Sequence, residues 1–133
     1  MTSKALVYYS LSGNTKGLID TYKWDGFDVY NIKQSKTIPF NVYETIIIGT
    51  STWGNGVPPK PFFEIRDELI SLKEKEIGLF GSGNSHYEHY CGALDLLEQL
   101  LGINNKIIFK YKFESYPTEV AISKFKRIME VVI

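Results

Sequence analysis

Three short segments of this 133-residue chain gather the residue types that bind anionic or planar ligands. The first, Ser10-Leu11-Ser12-Gly13-Asn14-Thr15, brings hydroxyls, an amide and a glycine together. At the entry to a helix, such a segment offers O–H and backbone N–H groups to an anion. It holds no lysine or arginine, so an anion there would rest on neutral donors. The P-loop lysine and the G-x-G-x-x-G spacing are both missing, which argues against a Walker site and a dinucleotide fingerprint. The same residues also suit an ordinary capped turn from strand to helix. The second segment, Thr50-Ser51-Thr52-Trp53-Gly54-Asn55-Gly56, sets an indole between small residues. That ring could stack on a flat ligand which the glycines let the backbone approach, or fold over the end of a sheet as an apolar lid. The third runs from Gly81 through Ser82, Gly83, Asn84 and Ser85 to Tyr87, Tyr90 and Cys91. His86, His89 and Cys91 suggest zinc, but there is no convincing fourth ligand and no second cysteine, and no metal is expected.

The elements between these segments must position them. Lys4 to Tyr9 reads as a buried strand, followed by a helix from Asn14 or Thr15 to about Lys23 that buries Leu18, Ile19 and Tyr22. Phe27 to Ile32 alternates as a second strand, and Tyr43 to Gly49 is a β-branched run typical of a strand covered on both faces. Pro61 opens a helix with Phe62, Ile65, Leu69 and Leu72 on one stripe. Glu76 to Phe80 is a fourth strand, and a helix from about Cys91 to Leu101 ends at Gly102. Lys106 to Glu114 is a half-exposed edge strand with Ile107, Phe109, Tyr111 and Phe113 on one face and Lys110, Lys112 and Glu114 on the other. Pro117 and Thr118 start a last helix that turns Ala121, Phe125, Ile128, Met129 and Val132 inward. Strands alternating with helices imply an α/β fold with a parallel sheet, and all three ligand-type segments follow strand ends. In such sheets ligands sit beyond the carboxyl ends, where strand order reverses.

Composition narrows the classes further. With 44% hydrophobic and 23% charged residues, the chain is expected to fold as one globular domain over residues 1–133. Its apolar runs are too short to span a bilayer, and the first residues lack the pattern of a secretion signal. Fifteen basic and fifteen acidic residues cancel, so neither nucleic acid nor a membrane is an expected partner. The balance is uneven: residues 1–40 carry +2, residues 41–103 carry −5 and residues 104–133 carry +3. One cysteine suits a reducing compartment, and a cytoplasmic location is expected.

A phosphate-type loop with aromatics on two further loops describes a site for flavin mononucleotide (FMN), and here the chain resembles the short-chain flavodoxins over essentially its whole length. Ser10-Leu-Ser-Gly-Asn-Thr is similar to that family's phosphate loop, Ser51-Thr-Trp-Gly-Asn-Gly to its Ser-Thr-Trp-Gly-Asp loop, and the segment from Gly81 to Ala93 to its Gly-x-Gly-Asp-x-x-Tyr-x-x-Phe-Cys-Gly-Ala loop. The resemblance implies a three-layer sandwich with five parallel strands in the order 2-1-3-4-5. It further implies that Ser10, Ser12, Asn14 and Thr15 hold the phosphate, with Leu11 and Gly13 completing the loop and Ser51 assisting. Trp53 and Tyr87 would cover the two faces of the isoalloxazine. Backbone groups at Asn84, His89 and Cys91 would meet its pyrimidine edge, and the Gly54 carbonyl would accept the N5 proton of the semiquinone. Thr50, Thr52, Asn55, Ser82, Gly83 and Tyr90 would complete the cofactor's surroundings.

Departures from the pattern sharpen the expectation. Asn55 and Asn84 stand where the family often has aspartate. Only twelve residues, Pro39 among them, separate Ile32 from Thr45. That is too few for the usual second helix, so Lys33 to Tyr43 is expected to form a loop or a single turn. The resemblance implies a monomeric electron carrier that takes electrons from a flavodoxin reductase or similar donor and gives them to an acceptor enzyme. The short crossover and the near-neutral charge also resemble the flavodoxin-like activator of class Ib (dimanganese) ribonucleotide reductase. A phosphorylated signalling domain would need acidic residues after strand one and an aspartate ending strand three, where this chain has Ser10 and Gly49-Thr50.

Overall fold

The computed structural model describes residues 3–10, 13–34, 37–51, 60–83, 92–114 and 116–133. Its elements in chain order are β1 (Lys4–Tyr8), α1 (Asn14–Ile19), β2 (Phe27–Asn31), a 3₁₀ turn (Phe40–Val42), β3 (Thr45–Ser51), α2 (Lys60–Glu64), α3 (Arg66–Ile70), β4 (Glu76–Gly83), α4 (Gly92–Leu101), β5 (Lys106–Glu114) and α5 (Glu119–Val132). The five strands form one sheet in the order β2-β1-β3-β4-β5, and every neighbouring pair is parallel.

The central strand β3 is buried at all seven positions, as its unbroken apolar run requires. Ala5, Val7, Ile46, Ile48, Ile77 and Leu79 face one layer, where Phe62, Ile65, Leu69, Leu72, Leu94, Leu97 and Leu101 cover them. Leu6, Ile47 and Phe80 face the other, packed beneath Leu18, Ile19, Phe125 and Met129. Helices α1 and α5 therefore lie on one side of the sheet, and α2, α3 and α4 on the other. The expected helix after Pro61 is broken at Ile65, yet its apolar stripe stays buried across the break. At the start of α5, the Thr118 side chain accepts the Ala121 N–H as an N-cap.

Two boundaries and one strand face differ markedly from the expectation. Helix α1 ends at Ile19 rather than near Lys23: the chain closes in i to i+3 turns, with the Thr21 and Tyr22 N–H groups on Leu18 O and Ile19 O, and the Trp24 indole N–H adds to Ile19 O at 2.9 Å and the Thr21 hydroxyl to Leu18 O at 2.7 Å. Strand β4 continues through Gly81, Ser82 and Gly83, which by composition read as loop. Ile107 also departs from its expected face. The ladder between β4 and β5 pairs Ile77 with Ile107 but Gly78 with Phe109, so Ile108 is an extra, bulged residue. That bulge reverses the alternation: Ile107 packs in the layer of α4, whereas Phe109 and Tyr111 pack against Phe125 in the opposite layer. Beyond it, Lys110 bridges Asp95 at 3.0 Å and Glu98 at 2.7 Å, and Lys112 bridges Asp95 at 3.0 Å, which ties the edge strand to α4. Burial of the Asp95 carboxyl opposes its ionisation, but the two ammonium groups outweigh that and hold it below the usual aspartate range.

Between β2 and β3 the described residues form no α-helix, only the 3₁₀ turn, as the short segment and Pro39 require. Ile38, Phe40 and Tyr43 cover the sheet there instead. Tyr43, 2% exposed, donates its hydroxyl to Asp28 Oδ2 at 2.6 Å, and Tyr30 donates in turn to the Tyr43 oxygen. Burial, then these two partners, push the Tyr43 phenol far above the ordinary tyrosine range, so it acts as a neutral donor. Replacing Tyr43 by Phe should therefore cost about 1 kcal/mol in urea unfolding. Asp28→Ala should cost markedly less in the Tyr43→Phe background than alone; independent effects would mean that the crossover is not pinned by this pair.

Candidate functional site

The ends of β1, β3 and β4 lie side by side. Tyr8 pairs with Gly49, Gly49 with Phe80, Thr50 with Gly81 and Ser51 with Ser82, and the Tyr9 N–H donates to Gly49 O at 3.1 Å. The chain leaves β1 toward one face as α1 and leaves β3 toward the other as α2. This divergence, between neighbouring strands whose connections run to opposite sides, opens the crevice in which doubly wound sheets take their ligands.

Residue Gly13 begins the first turn of α1 at φ 88°, a left-handed conformation that glycine adopts without strain. The Gly17 N–H closes that turn on Gly13 O at 2.8 Å. The Lys16 N–H donates to Ser10 Oγ at 3.1 Å, so the Ser10 hydroxyl proton can be given in another direction. The Lys16 ammonium pairs with Asp20, whose hydrogen bond raises the lysine pKa. The one cation inside this helix is thus committed to its own exposed face, and the Ser10–Thr15 segment offers neutral donors.

Thr15 is completely buried. Its hydroxyl donates to Thr50 O at 2.9 Å and pairs with Ser82 Oγ at 3.0 Å, which joins α1 to the ends of β3 and β4 at once. Its side chain therefore fastens the segment from beneath, and what Thr15 can offer outward is its backbone N–H. Thr50, Ser51 and Ser82 are likewise buried at the strand ends. Gly13, Asn14 and Gly83 are partly exposed beside them. The remaining residues singled out by sequence, Leu11, Ser12, Thr52, Trp53, Gly54, Asn55, Asn84, Tyr87, His89, Tyr90 and Cys91, lie outside the described residues, as does His86. Among the described residues, no cluster of three or more His, Cys, Asp or Glu could hold a metal.

One neighbour of the segment was not expected from sequence. The ring of Tyr116, between β5 and α5, lies so close to Gly17 that a Cβ there would meet Tyr116 Cε2 at 2.8 Å. A glycine inside a helix, where it weakens the helix, was the available signal.

This is the architecture of a doubly wound domain that takes a ligand at its switch point, with hydroxyls and amides at the first crossing. A sequence model described as Flavodoxin matches residues 6–103. Probable flavodoxin 2 of Bacillus subtilis is 34% identical over 109 residues, which cover 74% of this chain and 71% of that protein. The structure of oxidised Flavodoxin 1 from Bacillus cereus superposes with a TM-score of 0.84 at 26% identity, covering 98% of each chain. Fusobacterium nucleatum flavodoxin, solved bound to flavin mononucleotide, shares the fold with a TM-score of 0.75 at 18% identity over 98% of this chain and 97% of that one. The chain belongs to the flavodoxin family, whose members carry electrons on bound FMN.

Loss of the Thr15 hydroxyl should be felt in the protein without any ligand. Thr15→Val removes the hydroxyl that two buried groups share and should cost about 1–3 kcal/mol in urea unfolding. Thr15→Ser keeps the hydroxyl and should cost less. Equal losses for the two variants would assign the effect to packing rather than to the bridge.

Proposed function

We propose that residues 1–133 form a single FMN domain that works as a monomeric electron carrier in the cytoplasm. It takes electrons from a flavodoxin reductase or similar donor and passes them to an acceptor enzyme. The observation that carries this reading is the alignment of the β1, β3 and β4 ends, with Ser10 oriented by the Lys16 N–H and α1 fastened below by Thr15. Such an arrangement fits a terminal phosphate: the Ser10 hydroxyl and the first amides of α1 are neutral donors beside the strand ends and need no counter-cation. Among the described residues no helix is long and apolar enough to cross a membrane.

The residues divide the work. Ser10, Ser12 and the amides of Asn14 and Thr15 would hold the phosphate, with Ser51 assisting. Trp53 and Tyr87 would cover the ring system and exclude water, the backbone at Asn84, His89 and Cys91 would meet its pyrimidine edge, and the Gly54 carbonyl would accept a proton carried at N5. When bound, FMN supplies the chemistry, storing and releasing electrons one at a time. The purified protein should be yellow and should release FMN, not FAD, on denaturation, as chromatography of the freed flavin can establish. Colourless protein that also leaves added FMN fluorescence unquenched would remove this reading.

Asn55 and Asn84 bear on the potentials. A carboxylate ~10 Å from the flavin at an effective dielectric of ~20 is worth about 1–2 kcal/mol before screening. Asn55→Asp and Asn84→Asp should each make the second one-electron potential more negative, and more so at low salt. If neither moves it in a spectroelectrochemical titration, charge at these positions does not set it.

The second reading is the activator of class Ib (dimanganese) ribonucleotide reductase, favoured by the crossover between β2 and β3, where the described residues form only a 3₁₀ turn. Stepwise reduction under argon, followed by oxygen with and without a class Ib small subunit, separates the two. Radical formation in the subunit only when the reduced protein is present would select the activator.

A further inference from the structure

Helix α1 has six residues, too few to be stable by itself, so what holds it must come from elsewhere. Thr15 supplies one hold from beneath, and Tyr116 supplies a second from outside. A Cβ at Gly17 would stand 2.8 Å from Tyr116 Cε2, 2.9 Å from Cζ and 3.1 Å from the phenolic oxygen, so the ring rests on the helix backbone where only glycine leaves room. Yet Tyr116 keeps 65% of its surface exposed, so it is no ordinary core residue. The residue under the ring is the one whose N–H closes the first turn on Gly13, next to the Lys16 N–H that orients Ser10.

Resting on the FMN reading above, we propose that Tyr116 is a positioning residue for the flavin phosphate. Its ring presses on Gly17 and holds the first turn of α1, and through it the Ser10 hydroxyl and the Asn14 and Thr15 amides, where they would receive the phosphate. The helix tolerates glycine at position 17, a weak helix former, because the contact requires it.

The test compares FMN with riboflavin, which has the same ring and ribityl chain but no phosphate. Protein stripped of flavin is titrated with each by fluorescence quenching in the wild type, Tyr116→Ala, Tyr116→Phe and Gly17→Ala. Gly17→Ala pushes the ring aside, an inexpensive shift for the end of a flexible side chain, and at the same time improves helix propensity. Its apoprotein should therefore melt at or above the wild-type temperature. Tyr116→Ala and Gly17→Ala should each weaken FMN by about tenfold, the scale of one charge-assisted hydrogen bond, while riboflavin affinity changes less than about twofold. Tyr116→Phe keeps the ring and should bind FMN like the wild type. Equal losses for both flavins, or a wild-type FMN affinity in Tyr116→Ala, would overturn the positioning role alone. A wild type that binds neither flavin would overturn the FMN reading and this proposal with it.

Discussion

The buried hydroxyl of Thr15 is the interaction on which the ligand edge depends. In one step it joins the first turn of α1 to the Thr50 carbonyl at the end of β3 and to the Ser82 hydroxyl at the end of β4. A buried hydroxyl without partners is costly, so the three groups require one another. The parallel registers bring the strand ends level, and the bridge prevents a short helix from drifting off them. The packing behind this edge is large and stiff: Phe80, Phe125, Tyr111 and Phe109 interlock in one layer, and β3 is buried along its whole length.

Charge is kept away from the anion-type segment. Lys16 turns to Asp20, Lys110 of β5 turns to Asp95 and Glu98 on α4, and Lys112 turns to Asp95. The middle of the chain, which supplies the second and third loops, carries −5. In the proposed complex the two would act in opposite ways: a phosphate on neutral donors would bind with little salt dependence, and a ring beside the acidic stretch would resist extra negative charge.

Much of this was legible in the sequence because it is written in local periodicity. The limits of β5, the apolar stripe from Phe62 to Leu72 and the inward face of α5 follow from spacing alone. The missing helix between β2 and β3 follows from twelve residues and a proline. What escaped depends on partners that periodicity does not name, some near and some far along the chain. The early end of α1 goes with the Trp24 indole bond to Ile19 O, and the reversal of faces in β5 needs a bulge opposite Gly78. The strand character of Gly81-Ser82-Gly83 is imposed by pairing with Thr50, Ser51 and the end of β5. At the site, the residue types were legible but their division of labour was not. Thr15 reads as a phosphate ligand by type, and only contacts with residues 35 and 67 positions away show its hydroxyl turned inward. Tyr116 carries no motif, and its place became visible only through the glycine it rests on.

The central claim is that the segment fastened by Thr15 receives the phosphate of FMN through neutral donors, and a crystal structure of the FMN complex tests it most directly. The account predicts phosphate oxygens within hydrogen-bond distance of the Ser10 hydroxyl and the Asn14 and Thr15 amides, with the Thr15 hydroxyl still on Thr50 and Ser82 and the Lys16 ammonium still on Asp20. A phosphate bound elsewhere, or one reached by Lys16 or by a rotated Thr15 side chain, would contradict it.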